Sequence, residues 1–422
     1  MVVTDILKSH KRLKENPIYA LSLGSRELFH SNFLKWMFDK YPLMVGVLIE
    51  GCKPEDGFEP KNTVVAREEK NLDLIVRFKA GDALQAIVIE VKVKDAPRLD
   101  QLKKYDDKIE EHFKSDSARK VHKVLLSLVA PPKNSTWGYL SFSTLGASIR
   151  AFLSGSDVSN DDRVIIKGYA DLCCDLGELV LEVIKFDQVT RDYFYPKPGE
   201  DETATRVDDD LKEVRFLDTI NKHRASKLSD KIESEFEFKC IKSNFASNDI
   251  KPKFACGFDR KMPHVGATLV LKSQKDPDFE ISLGIHIQGT QYRRLLSFNR
   301  YVVNSKSHGK DPDGLKYFIE KTDAWKWMFG STHVNGYFDN PNGQDGFFKD
   351  MEQVPTSQQK SKQLCSYAPK YIYQYTTIGY DNVGVRTCDL VDALISDLRY
   401  ASTLLSDREY VGRFEKWLQT SR

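Results

Sequence analysis

Apolar residues recur at helical spacing from Ser25 to Phe38, alternate with polar ones from Leu72 to Phe78, and run almost unbroken through Val121–Ala130. In the first stretch Leu28, Phe29, Phe33, Trp36 and Met37 form an apolar stripe, with Ser25 as N-cap, while Glu27, His30, Ser31 and Leu34 share another face. Val45–Ile49 continues this helical layer, and Gly51–Pro60, rich in Gly, Pro and acids, reads as a loop. The alternation in Leu72–Phe78 predicts a strand with Leu72, Leu74, Val76 and Phe78 on one face and Asp73, Ile75 and Arg77 on the other. Lys79-Ala80-Gly81-Asp82 supplies turn chemistry, and a second strand follows up to Lys92. With Ala80 and Gly81 at the centre of the turn, Asp73 falls opposite Val88, and Asp73, Val88, Glu90 and Lys92 project together.

Asp95-Ala96-Pro97 then opens a helix with Leu99, Leu102, Ile109 and Phe113 buried and Gln101 and Tyr105 one turn apart on a neighbouring face. Val121–Ala130 has the character of an inner parallel strand, so strand, helix and strand form a crossover in a mixed sheet. Trp137–Phe142 adds a strand, and Leu145–Leu153 and Asp161–Val183 read as helices. The expected first domain is 1–195. Residues 196–210, rich in Pro, Gly and acids, read as a linker or long loop, and 211–422 as an α+β C-terminal domain. A long helix over Val207–Phe236 leads into that domain. Strands at Phe254–Arg260, Val265–Lys272, Phe279–Gln288 and Tyr292–Tyr301 follow, then helical stretches at Leu315–Phe329 and Asp389–Leu405 with the strand-like YIYQYTTIG before the latter.

Composition narrows the classes. The 422 residues suggest two or three domains, and 41% hydrophobic and 11% aromatic residues are enough for real cores. Sixty-three basic and 61 acidic residues leave a formal charge of +2, which neither demands nor excludes a nucleic-acid partner. The seven scattered cysteines include no C-x-x-C pair, the N-terminus lacks the apolar core of a signal peptide, and no apolar run reaches the roughly 20 residues of a membrane span. A soluble, reducing, cytoplasmic setting is expected, with no membrane partner. No Gly-rich phosphate loop and no G-x-S-x-G elbow occurs.

The chemistry concentrates between Asn71 and Tyr105. Two carboxylates on one face of adjacent strands, Asp73 and Glu90, suit a hard divalent cation, with the main-chain carbonyl of Val91 as a third ligand. Such an ion lowers the pKa of a bound water and neutralises charge on a phosphodiester, and Lys92 beside it can orient that water or stabilise the transition state. Gln101 and Tyr105 can reach the metal waters or the phosphate. A bland alternative stands beside this: Glu90 and Lys92 alone would make an ordinary ion pair, and Glu68 or Glu69 could replace Asp73 in another register. In the C-terminal half, Arg293, Arg294 and Arg300 lie among aromatic residues, as in nucleic-acid contacts, although a half-exposed strand would look the same.

Asp73 on one strand, Glu90-Val91-Lys92 on the next and Gln101-Leu102-Lys103-Lys104-Tyr105 on the helix resemble the PD-(D/E)XK nuclease superfamily, in its Q-x-x-x-Y subgroup. Leu72 stands where the superfamily's name has Pro. The resemblance covers about residues 20–185 and implies a restriction-endonuclease-like α/β fold, a mixed central sheet flanked by helices. It implies hydrolysis of phosphodiester bonds, in DNA rather than RNA, with Mg²⁺ (Mn²⁺ substituting), and a setting in bacterial, antiviral defence or DNA processing. Glu27 as a metal ligand and His30 as a supporting residue are carried over from the first helix of that family. A homo-oligomer or a partner protein stays open, and so does a non-catalytic nucleic-acid-binding or scaffold protein that keeps the fold.

Overall fold

From Ala86 to Lys92 every side chain of the strand Ala83–Lys92 is buried, which makes it the centre of the N-terminal sheet. The structure is a computed structural model describing residues 2–22, 27–48, 61–80, 83–94, 97, 99–114, 118, 120–131, 135–190, 193–195, 202–239, 250–259, 262–272, 280–288, 291–298, 321–324, 326–327, 364–368, 371–377 and 385–420. The expected loop at 51–60, the cap at Ser25 and the turn residues Gly81 and Asp82 lie outside these residues.

The elements of the first sheet are β1 (Lys61–Glu69), β2 (Leu72–Ala80), β3 (Ala83–Lys92), β4 (Lys120–Ser127) and β5 (Gly138–Ser141), in that spatial order. β1, β2 and β3 are antiparallel, whereas β3, β4 and β5 are parallel. Helix α4 (Leu99–Phe113) makes the crossover between β3 and β4. The mixed sheet flanked by helices is thus the restriction-endonuclease-like α/β architecture.

The two faces carry different covers. Leu74, Val76, Ile87, Ile89 and Val91 join the main core with helices α1 (Val2–Glu15), α3 (Glu27–Lys40), α5 (Phe142–Gly155) and α6 (Asn160–Thr190). A short helix, α2 (Pro17–Ser22), lies between α1 and α3. Ile75, Val88 and Leu125 face the other way, under Leu102 and Ile109 of α4 and beside Trp137. This second face is the one that bears Asp73, Glu90 and Lys92.

On α3 the expected stripe is rotated. Leu28 is 50% exposed, Phe29, Phe33 and Trp36 are only partly buried against the core, and Met37 is joined in full burial by His30, Ser31, Leu34 and Phe38. Those five recur at helical spacing, and Leu34, Met37 and Phe38 join the core beneath the sheet. The packing of α5 on α6 is unusually close. A Cβ at Gly146 would lie 2.6 Å from the Ala170 carbonyl oxygen, and one at Gly177 2.8 Å from the Ser143 nitrogen. Ser141 caps α5, its hydroxyl accepting from the Thr144 N–H at 3.0 Å.

The expected linker at 196–210 is corrected from Glu202 onward, because Glu202–Glu213 is helix α7. Val207 and Leu211 on it and Val214 just past its end are buried at helical intervals, which outweighs the acidic composition of the segment. The expected continuous helix over Val207–Phe236 is two helices, α7 and α8 (Leu217–Lys239), separated where Arg215 has a φ of 59°.

The chain divides into two units, Met1–Thr190 with Glu202–His223, and Arg191–Asp201 with Arg224–Arg422. In the second unit, β7 (Ile250–Asp259), β8 (Met262–Lys272), β9 (Glu280–Gln288), β10 (Gln291–Phe298), β11 (Leu364–Ala368) and β12 (Tyr371–Thr377) form one sheet ordered β11-β12-β10-β9-β8-β7. All of its pairings are antiparallel. Helix α9 (Thr387–Ser406) contributes Leu390, Leu394 and Leu398 to the core on one face of that sheet, and α10 (Arg408–Thr420) adds Tyr410 and Phe414. A two-stranded ribbon, β6 (Tyr193–Tyr195) with β13 (Val385–Arg386), completes the described strands. Most of the expected helix at 315–329 lies outside the described residues.

Candidate active site

The hairpin register differs from the expected one by two residues. Leu74 pairs with Ile89, Ile75 with Val88, and Ala80 with Ala83, so the turn falls beyond Ala80 instead of at Ala80-Gly81. A shift of two preserves the face of every side chain, because strand side chains alternate with a period of two. Its effect is to slide Asp73 past Val88 to the level of Glu90.

Each acid is then held by something specific. Asp73 Oδ2 accepts the main-chain N–H of Val91 at 2.9 Å. Glu90 Oε1 lies 2.7 Å from Lys92 Nζ, and Tyr105 hydrogen-bonds the same carboxylate. Glu27, at the start of α3, accepts the Val93 N–H at 3.3 Å, and its other oxygen is 3.9 Å from Lys92 Nζ. The Lys92 ammonium also lies 5.8 Å from the Tyr105 ring centroid. Asp73, Glu90, Lys92, Tyr105 and Glu27 are therefore one cluster, drawn from β2, β3, α4 and α3. Gln101 sits a turn before Tyr105, its amide nitrogen 3.5 Å from the Tyr105 hydroxyl.

Electrostatics follow from this burial. Glu90 is 2% exposed, and burial together with the Asp73 charge pushes its carboxyl up to about 7 against the pull of Lys92 and Tyr105. Burial also raises Asp73, opposed by the Val91 N–H and by Lys92. For Lys92 burial works against the charge, but Glu90 and Glu27 outweigh it and hold the ammonium above its ordinary value. Burial and the bond to Glu90 push Tyr105 up to about 12, so it remains a donor. Two carboxylates facing each other in a dry site leave a deficit of positive charge that Lys92 alone does not fill. A donor set of oxygens in that state fits a hard divalent cation.

The remaining sequence candidates divide. Glu69 is engaged by Arg77, at 2.9 and 3.1 Å, and by His112 at 2.9 Å, which removes it as a rival ligand. Glu68 is exposed, with φ 56°. His30 is wholly buried, with Nδ1 3.2 Å from the Tyr169 hydroxyl and its ring edge-on to Phe29 and Phe142. Sequence reasoning missed Arg67 on β1, whose charge draws Asp73 downward and whose Nη1 lies 3.6 Å from Glu68. The alternation of Thr63–Arg67 was its one available signal.

In the second unit, Arg294 is corrected from a nucleic-acid contact. It is fully buried, bonded to Asp397 at 2.7 and 3.2 Å and to the Trp327 carbonyl at 3.1 Å. Its position opposite Ile285 places it on the core face of the sheet. Arg293, on the other face, is half-buried over the Tyr373 ring at 4.7 Å and bonded to Gln291. Arg300 lies outside the described residues.

With the fold and the cluster in view, the comparison with known families concerns part of the first unit. Residues 16–152 match the family model of the PD-(D/E)XK nuclease superfamily. This region is similar to the PD-(D/E)XK nuclease superfamily. The match spans α2 through most of α5 and so includes all five residues of the cluster and Gln101. No curated protein and no solved structure matches the chain. The superfamily supports phosphodiester hydrolysis in general, and its members generally use divalent metals. No described helix is long and apolar enough to cross a membrane.

Proposed function

We propose that the protein is a Mg²⁺-dependent deoxyribonuclease, Mn²⁺ substituting, with Asp73, Glu90 and the Val91 carbonyl as metal ligands and Glu27 as a further carboxylate. The bound ion supplies a water of lowered pKa and neutralises charge on the scissile phosphate. Lys92 places its ammonium where that phosphate or water sits, and Tyr105 fixes the Glu90 carboxylate by donating to it. Gln101, one turn away, orients phosphate or water. The observation that supports this reading is that Asp73 and Glu90 lie on one face with Lys92 2.7 Å from Glu90. A merely structural ion pair needs no second buried carboxylate beside it.

DNA is the substrate we propose, in bacterial, antiviral defence or DNA processing in the cytoplasm, and Q-x-x-x-Y inclines the domain towards end processing by analogy. Residues 1–195 are the proposed catalytic portion, with α7 added to it, and the C-terminal α+β portion holds substrate, Arg293 being the described residue best placed to contribute. Incubation with linear, circular and single-stranded DNA, with and without Mg²⁺, tests the proposal. Cleavage that disappears with chelator and in Lys92→Ala supports it. Failure to cut any of these substrates, or undiminished cutting by both Asp73→Ala and Lys92→Ala, overturns it, and binding without cleavage would favour a non-catalytic protein on the same fold.

A further inference from the structure

Tyr105 has a lysine on either side of it in the chain's packing. The Lys92 ammonium lies 5.8 Å from its ring centroid, and the Lys108 ammonium lies 5.3 Å from the same centroid. Because the Tyr105 hydroxyl bonds the Glu90 carboxylate, this ring ties the candidate active site to a cation one turn further along α4.

The two lysines differ in how their charge is used. Lys92 is committed to Glu90 and Glu27. Lys108 is half-buried and, among the described residues, makes no hydrogen bond and no ion pair. Helical side chains lean towards the N-terminus of their helix, and that lean carries the Lys108 ammonium over Tyr105 and away from Glu111, three residues on. Helical spacing sets Gln101, Lys104, Tyr105, Lys108 and His112 along one side of α4, a stripe that contains no carboxylate. Lys104 on it is exposed and likewise unpaired among the described residues.

We propose that Lys108 holds the phosphate next to the scissile one, so that the strand being cut leaves the site along α4 past Tyr105. This rests on the reading of Asp73, Glu90 and Lys92 as a nuclease site. One helical turn, about 5.4 Å, is comparable to the step between successive phosphates of a strand. An ammonium backed by an aromatic ring offers such a phosphate a point charge with donors to spare. Lys104 adds to the attraction along the same stripe. Lys108 is thus a positioning residue for the substrate and takes no part in the chemical step.

The test compares full-length chains carrying Lys108→Ala, Lys108→Arg or Lys103→Ala. Alanine is the best helix former, so α4 stays intact, and Lys103→Ala removes the same charge from an exposed position on the other side of that helix. Binding of a labelled DNA strand is read by fluorescence anisotropy in an Asp73→Asn background, which slows cutting. Lys108→Ala should weaken it by about ten-fold, the worth of one charge-assisted contact. The slope of log affinity against log salt should fall by about one. In steady-state cleavage without Asp73→Asn, KM should rise more than kcat falls. Lys108→Arg should recover most of the affinity, and Lys103→Ala should match its parent. An affinity unchanged by Lys108→Ala, or lowered as much by Lys103→Ala, overturns the proposal, and cleavage by wild type alongside either result keeps the nuclease reading intact. A chain that binds DNA through Lys108 yet never cuts it would support the phosphate contact and overturn the nuclease reading instead.

Discussion

Asp73 Oδ2 accepts a 2.9 Å hydrogen bond from the main-chain N–H of Val91, the residue between Glu90 and Lys92. One carboxylate oxygen thus aligns β2 with β3, and the Asp73 charge acts on Glu90. Asp73→Asn retains an oxygen for Val91 and so should fold, while losing the charge a cation needs. We expect DNA cleavage to fall by about 100-fold or more, a loss comparable to removing one preorganised transition-state group, with little change in Tm. Equal cleavage rates for Asp73→Asn and wild type would remove Asp73 from the metal site.

Glu90 makes the site pH-dependent in two opposite senses. Its folded value of about 7 stands above the ordinary 4.5, so the folded chain holds this proton more tightly than the unfolded chain. The stability that Glu90 contributes is full below 4.5 and is lost as pH rises to about 7. Metal binding has the reverse slope, because only the ionised carboxylate is a ligand. Chelator-treated protein should therefore lose Tm from about pH 5 to about pH 8, and Mg²⁺ should restore it increasingly across the same range. A Mg²⁺ affinity that stays flat over that interval would contradict a ligand role for Glu90.

Lys92→Ala tests the same pair from the other side. The variant leaves Glu90 buried without its closest cation, a change worth about 3–5 kcal/mol when the carboxylate is charged. The loss should be large near pH 8 and shrink towards pH 5, where Glu90 takes up a proton. Urea unfolding at the two pH values measures it. A pH-independent loss would mean that lost packing of the lysine stem, not lost charge compensation, dominates.

The parts of this site that were legible in sequence share a property: they lie on periodic elements whose neighbours are near in the chain. The face shared by Asp73, Glu90 and Lys92 survived a two-residue error in register because strand parity is insensitive to it. Gln101 and Tyr105 were legible because helical spacing fixes their relation to each other. The surroundings of His30 were not legible, because Tyr169 and Phe142 are more than a hundred residues away in the chain and no local pattern announces them. Arg294 failed for a related reason. A strand's two faces are equivalent in sequence until something shows which one α9 covers. Only the start of α7, from Glu202 to Arg206, was hidden, because its acidic and Thr-containing composition carries no run of apolar residues at helical spacing.

Gly146 and Gly177 set how closely α5 and α6 approach, so their prediction concerns the scaffold and not the chemistry. A Cβ at Gly146 meets a backbone oxygen at 2.6 Å, and a carbonyl held in a helix cannot step aside as a flexible side chain could. Gly146→Ala should destabilise by about 1–3 kcal/mol through overpacking, read as a lowered urea midpoint. Because α4 and the sheet face that it covers are untouched, Mg²⁺ affinity of the folded variant should equal that of wild type. A neutral Gly146→Ala would show that the two helices separate without resistance.

Arg294 and Asp397 carry the corresponding argument for the second unit. Both are fully buried, bonded at two points, and Tyr292 adds its hydroxyl to Asp397 at 2.9 Å. The Arg294 guanidinium also lies 5.0 Å from the Trp327 ring centroid. With both lone-pair sets of Asp397 occupied, the pair is satisfied as it stands, and the danger lies in breaking half of it. Asp397→Ala leaves a buried guanidinium uncompensated and should cost about 3–5 kcal/mol, whereas replacing both residues with apolar ones of similar size should cost markedly less. Denaturant unfolding of the single and double variants gives the comparison. DNA affinity per folded molecule should be the same in all of them, since a side chain enclosed between β10, α9 and Trp327 has no surface to offer a phosphate. A folded Arg294 variant with weakened DNA binding would instead return Arg294 to the substrate-contacting residues.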